Sequence, residues 1–199
     1  MTLQKEKYYR HIKFPFDFDL SNIAKFDTDL TTLGYTKLSN DVMDPIITNF
    51  LLDHKIVIST VASFYTPPGG ILGIHIDLNE LNDLCKINFC YGGGASRMNW
   101  YRVKPGIELK SEVSDFTTRY YDKSEGIAVS HISLQRDWCD YADSAKIRKP
   151  TLVKVGQPHG VINVSKEGRW NLCLTLCDPN DNHLLHFGEV EERLTDYLV

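Results

Sequence analysis

Ile71-Leu72-Gly73-Ile74-His75-Ile76-Asp77-Leu78 is the stretch on which the reading of this chain turns. In an extended strand alternate residues point to the same side, so His75 and Asp77 share a face while Ile76 packs behind them. Two imidazoles and one carboxylate on one face of an octahedral ion leave three positions open. That arrangement suits non-haem Fe(II), which must also hold a cosubstrate and O₂. The second imidazole must come from a distant strand, because such a site needs a closed fold to bring it back. His159 meets that need, and Arg169 follows it by ten residues at the start of another apolar stretch. There Arg169 is placed to bind the distal carboxylate of a dicarboxylate held by the ion.

Outward from this stretch the texture is β from Ile56 onward. Candidate strands cover 56–65, 71–78, 85–91, 97–103, 113–120, 127–134, 151–156, 160–164 and 169–177, separated by Pro/Gly turns. Many short strands of this kind fit a double-sheet jelly roll whose interior holds a ligand. The first fifty-odd residues read as helical. Ser21 and Asn22 are N-cap candidates for a helix running to Leu33 and stopped by Gly34, and Pro45 opens a second apolar-periodic stretch. Residues from Glu189 to Leu198 suit a terminal amphipathic helix. With no repeat and no low-complexity linker, the expectation is one domain over 1–199. It comprises a helical part at 1–55, a jelly-roll core at 56–177 with an insertion near 104–150, and an extension at 178–199.

Composition narrows the possible partners. A 199-residue chain with 42% hydrophobic residues has enough core to fold unaided. A net charge of −4 gives no general attraction to duplex nucleic acid or to an anionic membrane. The polar start Met1-Thr2-Leu3-Gln4-Lys5-Glu6-Lys7 lacks an apolar leader, and no run approaches a spanning length. Five cysteines without a C-x-x-C pair suggest reduced core thiols in a cytoplasmic protein. Cys173 and Cys177, four apart on one strand, are too far apart for a disulfide.

The order H-x-D, then H, then R ten further on, each in a β-like segment, resembles the Fe(II)/2-oxoglutarate-dependent dioxygenases. Ser63-Phe64-Tyr65-Thr66-Pro67-Pro68-Gly69-Gly70 is similar to the turn before the H-x-D strand of prolyl-hydroxylase-like members. Lys86-Ile87-Asn88-Phe89 and Val155-Gly156-Gln157-Pro158-His159-Gly160-Val161-Ile162-Asn163 resemble the aspartyl/asparaginyl β-hydroxylase-like branch. The likeness covers roughly residues 56–177. It implies a mainly β double-stranded β-helix, a cupin-like jelly roll with flanking helices. It also implies Fe(II) held by His75, Asp77 and His159, with 2-oxoglutarate anchored by Arg169 and contacted near the metal by Asn88. The implied reaction consumes O₂, releases succinate and CO₂ and hydroxylates a C–H bond. A carboxylate at Asp77 favours that outcome over halogenation, which needs the position vacated. The implied substrate is an amino-acid side chain in a peptide, a protein or a free amino acid, with a small metabolite or nucleobase as the rival. A non-catalytic cupin-type metal binder and a metal-dependent isomerase or hydrolase also stay open.

Parity extends the candidate set. If His75 and Asp77 face inward and the Pro-Pro-Gly-Gly turn keeps register, Tyr65 and Ser63 face inward too, which makes Tyr65 a candidate for the cosubstrate pocket. Lys86 and Asn88 share one strand face, and a buried Asn usually has a hydrogen-bond task. Gly92-Gly93-Gly94-Ala95-Ser96 lacks the ending of a phosphate loop and suits a tight hairpin turn. His183 and His186 are read as surface histidines. The 104–150 segment, with Tyr120, Tyr121, Arg136, Trp138 and Tyr141, is the candidate for substrate recognition at the mouth of the site.

Overall fold

The computed structural model describes residues 6–18, 33–78, 80–109, 120–121, 128–129 and 131–199. In chain order the elements are β1 (Tyr9–His11), β2 (Gly34–Leu38), α1 (Pro45–Asp53), β3 (Val57–Thr66), β4 (Ile71–Asp77), β5 (Cys85–Gly92), β6 (Arg97–Val103), β7 (Tyr120–Tyr121), β8 (Ala128–Val129), β9 (His131–Ser133), β10 (Cys139–Ala145), β11 (Thr151–Lys154), β12 (His159–Ile162), β13 (Arg169–Cys177) and α2 (Phe187–Arg193). A six-stranded sheet has the order β1-β11-β5-β13-β3-β2, and a five-stranded sheet the order β10-β6-β12-β4-β9. All pairings within them are antiparallel. Successive strands β3 to β6 alternate between the sheets, and β10 to β13 do so again. This is the double-stranded β-helix, the jelly roll expected from the spacing of short strands.

The six-stranded sheet has two unlike faces. Leu172, Leu174, Ile87, Phe89 and Val61 belong to a buried cluster with Ile47, Phe50 and Leu51 of α1 and with Phe187, Val190 and Leu194 at the C-terminus. Full burial of each such leucine stabilises the fold by about 1.5–3 kcal/mol. Asp44 caps α1 by accepting the Ile46 N–H at 3.0 Å, and Pro45 occupies its first turn, where its missing N–H costs nothing. The other face carries Arg169, Asn171 and Cys173 and looks across at the five-stranded sheet. Between the sheets Trp100, Met98, Val153, Val155 and Val161 form a second cluster.

The expectation of a helical part over residues 1–55 needs correction. Tyr9–His11 and Gly34–Leu38 are strands at the two edges of the six-stranded sheet, leaving α1 and a short 3-10 turn at Asn40–Val42 as the helical structure described there. The helix expected between Ser21 and Leu33 and most of the strand at 113–120 fall outside the described residues. Nor is 104–150 wholly an insertion, because β10 pairs with β6 and belongs to the five-stranded sheet. The terminal helix begins two residues earlier than expected, at Phe187, where Glu189 Oε2 accepts the His186 N–H at 2.8 Å. Gly92 and Gly93, with φ of +67° and +55°, do form a tight turn. It carries the chain from one sheet to the other instead of closing a hairpin. A side chain at Gly93 would also strike the stem of Arg169.

Candidate metal centre

β12 pairs with β4 so that His159 lies opposite His75. The pairing then slips: Val161 faces Leu72, so Gly73 and Ile74 together oppose Gly160. This is a β-bulge in β4, a device that re-aims side chains next to functional sites. Here it turns the Gly73 carbonyl toward the His75 ring, whose Nδ1 donates to it at 2.8 Å. His159 Nδ1 donates in the same way to the Gln157 carbonyl at 2.9 Å. With both Nδ1 edges committed to backbone, Nε2 is the nitrogen each ring offers to the space between them.

That space is closed by Asp77. One ligand atom each from His75, Asp77 and His159 lies within 4.8 Å of the others, and this is the one such group among the described residues. His75 Nε2 is 3.6 Å from Asp77 Oδ1, and the two imidazole centroids are 4.2 Å apart. Two cis ligands about 2.1 Å from a common octahedral ion stand about 3 Å from each other, so the donors need only small movements to share one. Nitrogen and carboxylate donors in a two-to-one ratio fit a first-row divalent metal.

Gly160 has no room for a side chain, because a Cβ there would lie 2.9 Å from the Leu72 carbonyl oxygen and 3.2 Å from that of Gly73. Gly160→Ala is therefore expected to push the bulge away from β12, swing His75 off its bond to Gly73 and weaken divalent-metal binding by about 10- to 100-fold. Titration of the purified variant with Mn(II) checks this, and unchanged affinity contradicts it.

Electrostatics keep the donors ready. Burial, and then the neighbouring His159, push the His75 imidazole down to about 4 against the pull of Asp77. Burial alone would raise the Asp77 carboxyl, but Lys86 and the two histidines outweigh it and hold the group well below its usual range. Lys86, buried yet raised above the ordinary lysine value by that same carboxylate, donates from Nζ to Asp77 Oδ2 at 2.5 Å.

The depressed imidazole has a sign that stability measurements can read. In metal-free protein the unfolded chain takes up a proton on His75 near pH 6.5, whereas the folded chain does not until about 4. Stability should fall as pH drops through that window, by about 3 kcal/mol from this ring, and stop falling on its account below it. Thermal melts in chelator-treated buffer test this. A His75→Gln variant should show a shallower fall between those limits, and equal slopes in the two proteins contradict the assignment.

From Lys86 the interior face of the six-stranded sheet continues through Asn88 and Cys90 to Arg169. Register places Lys86 opposite Thr175, Asn88 opposite Cys173 and Cys90 opposite Asn171. Asn88 is buried, and its Oδ1 has no hydrogen-bond partner among the described residues. Arg169 is 3% exposed, and its Nη2 donates to the Cys90 thiol at 2.9 Å. Among the described residues no carboxylate lies within ion-pair distance of this guanidinium. A buried charge without an opposite partner is costly, so this position favours an anion. The Cys173 thiol, pushed up to about 12 mainly by burial, feels the charges of Lys86, Asp77 and Arg169 from its place between them on the interior face.

Five of the six expected site residues thus line the interior, and Tyr65 does not. It pairs with Trp170 on the outer face of the six-stranded sheet, their rings 4.6 Å apart. The Pro67–Gly70 turn passes the chain from one sheet to the other, so the parity of β4 does not carry back into β3. Phe64 and Thr66, opposite Asn171 and Arg169, face inward instead. Arg136 and Trp138 also lie away from the metal donors. Arg136 sits 5.2 Å over the Tyr101 ring, and Trp138 packs against the Ile76 cluster on the outer face of the five-stranded sheet. The side chains of Tyr120 and Tyr121 fall outside the described residues. Lys86 is the functional candidate that the sequence reading passed over. Its signal was its shared face with Asn88, since an ammonium on an interior strand face demands a carboxylate.

No protein-family model matches the chain, and no curated protein does. Among solved structures it is similar to AviO1 from Streptomyces viridochromogenes Tue57, at 13% identity and a TM-score of 0.43 over 92% of this chain and 78% of that one. It is similar to the viral collagen prolyl hydroxylase of Paramecium Bursaria Chlorella virus-1 in its 2OG complex, at 15% and 0.41 over 84% and 96%. A third similar structure is EvdMO1, at 16% and 0.37 over 62% of this chain. The chain spans 28% of the length of EvdMO1 and 62% of an oxalate oxidase solved with glycolate. No helix among the described residues is long and apolar enough to cross a membrane.

Proposed function

We propose that this protein is an Fe(II)- and 2-oxoglutarate-dependent oxygenase that hydroxylates a C–H bond of an amino-acid side chain, in a peptide, a protein or a free amino acid. One observation carries the reading: a three-donor metal set on the five-stranded sheet faces an opposite sheet whose interior carries a buried guanidinium with no carboxylate at ion-pair distance among the described residues. In this reading His75, Asp77 and His159 hold the iron, and their Nδ1 bonds to backbone fix the imidazoles in the ligating tautomer. Bound iron, with 2-oxoglutarate and O₂, supplies the oxidising power, and the cosubstrate leaves as succinate and CO₂. Arg169 forks onto the distal carboxylate of 2-oxoglutarate, a partner whose planar geometry matches the guanidinium. Asn88, on the same interior face, donates from its amide Nδ2 to the carboxylate nearer the metal, since a carboxylate only accepts. Trp100, Met98 and Val161, buried in the apolar cluster between the sheets, limit the entry of water from that side.

Resemblance to the aspartyl/asparaginyl β-hydroxylase-like branch supports a side-chain substrate. The five unpaired thiols support a reducing, cytoplasmic setting. Succinate release from 2-oxoglutarate with Fe(II) and ascorbate tests the proposal, with amino acids and short peptides added as stimulants. Stimulation by a nucleobase or small metabolite instead reassigns the substrate. Metal binding with no effect of 2-oxoglutarate on the iron spectrum, and no succinate, returns the protein to a cupin-type binder.

A further inference from the structure

We propose that Lys86 is a positioning residue of the metal centre: its ammonium occupies Oδ2 of Asp77, so that the carboxylate presents Oδ1 alone to the ion beside His75 and His159. The inference rests on the metal-binding part of the reading above and adds a residue and a task to it. Asp77 has two oxygens with different surroundings. Oδ1 faces His75 Nε2 at 3.6 Å, whereas Oδ2 takes the Lys86 Nζ bond at 2.5 Å. Both side chains are largely buried, at 20% and 16% exposed, so water competes weakly for either end of the pair. Lys86 is held from the opposite sheet, on β5 between β11 and β13, facing Val153 and Thr175. The clamp therefore spans the interior and ties the carboxylate's rotation to the packing of the two sheets. A carboxylate free to turn can chelate an ion through both oxygens and consume a second position. One whose second oxygen is already bonded cannot do so without breaking a charge-assisted hydrogen bond. The consequence is a centre with three open positions, the number that a bidentate cosubstrate and O₂ together require.

The test uses Mn(II) alone, whose bound waters are counted by the relaxation rate of solvent protons. Wild-type protein is expected to hold three exchangeable waters on the ion. Lys86→Met should let Asp77 chelate and reduce the count to two, lowering the bound-ion relaxivity by about a third. Mn(II) affinity should not fall, because a neighbouring cation has been removed. Lys86→Arg should restore three waters. Lys86→Leu, which like methionine offers no donor, guards against misfolding of the methionine variant, and melting curves identify whichever protein folds. Three waters in a folded Lys86→Met or Lys86→Leu protein overturns the inference, as does a loss of 2-oxoglutarate affinity with the water count unchanged. Wild-type protein that takes up no Mn(II) overturns the metal centre itself and this inference with it.

Discussion

Replacing His159 with alanine is expected to lower divalent-metal affinity by more than about 100-fold and to leave no Fe(II)-dependent succinate formation. Even the outer hydrogen-bond partners of metal ligands cost 10- to 100-fold when removed, and His159 is one of three donors. The same holds for Asp77→Ala and His75→Ala, because two donors cannot define one face of an octahedral ion. The folds should survive. The three side chains belong to none of the hydrophobic clusters that hold the sheets together. Metal analysis after dialysis against Fe(II) under argon, paired with circular dichroism, checks both halves. Full metal content in any of the three variants contradicts the site.

Arg169→Ala should separate the cosubstrate from the metal. Truncating one partner of a sheltered, hydrogen-bonded charge pair costs about 2–5 kcal/mol, which is roughly 30- to several-thousand-fold in 2-oxoglutarate affinity. Mn(II) affinity should change little, since Arg169 bonds Cys90 and touches no metal donor. Its backbone should hold as well, because β13 pairs along its length with both β3 and β5. Titration of the Fe(II) protein with 2-oxoglutarate in the absence of oxygen reads the effect. Unchanged affinity would assign the distal carboxylate to another cation, with Lys86 the one already on the same interior face.

Much of the site was legible because its signals are local. His75 and Asp77 share a face wherever 71–78 is a strand, and a guanidinium at the start of an apolar strand needs an anion wherever that strand is buried. What escaped the sequence reading has a common cause. β10, Cys139-Asp140-Tyr141-Ala142-Asp143-Ser144-Ala145, shows little apolar alternation, because it is an edge strand with a register shift between Tyr141 and Asp143. β1 is three residues long, too short for a period to be read. Edge strands draw part of their stability from partners far along the chain, and their own residues need not advertise it. Tyr65 was misplaced by the assumption that parity crosses the Pro67–Gly70 turn, which in fact carries the chain between sheets.

By itself the sequence determined the β character of the described strands between 56 and 177 and the placing of His75 and Asp77 on one face, and it pointed to a returning histidine and to an anion-seeking guanidinium at Arg169. These follow from strand periodicity and from the cost of burying charge, neither of which requires knowing which strands are neighbours. Only the tertiary structure decided that His159 meets His75 across a bulge. It alone showed that Gly160 is glycine because the Leu72 and Gly73 carbonyls leave no space for a Cβ. The bond from Lys86 across the interior to Asp77 was likewise a matter of folding, since the two residues stand on different sheets and meet only when the sheets close.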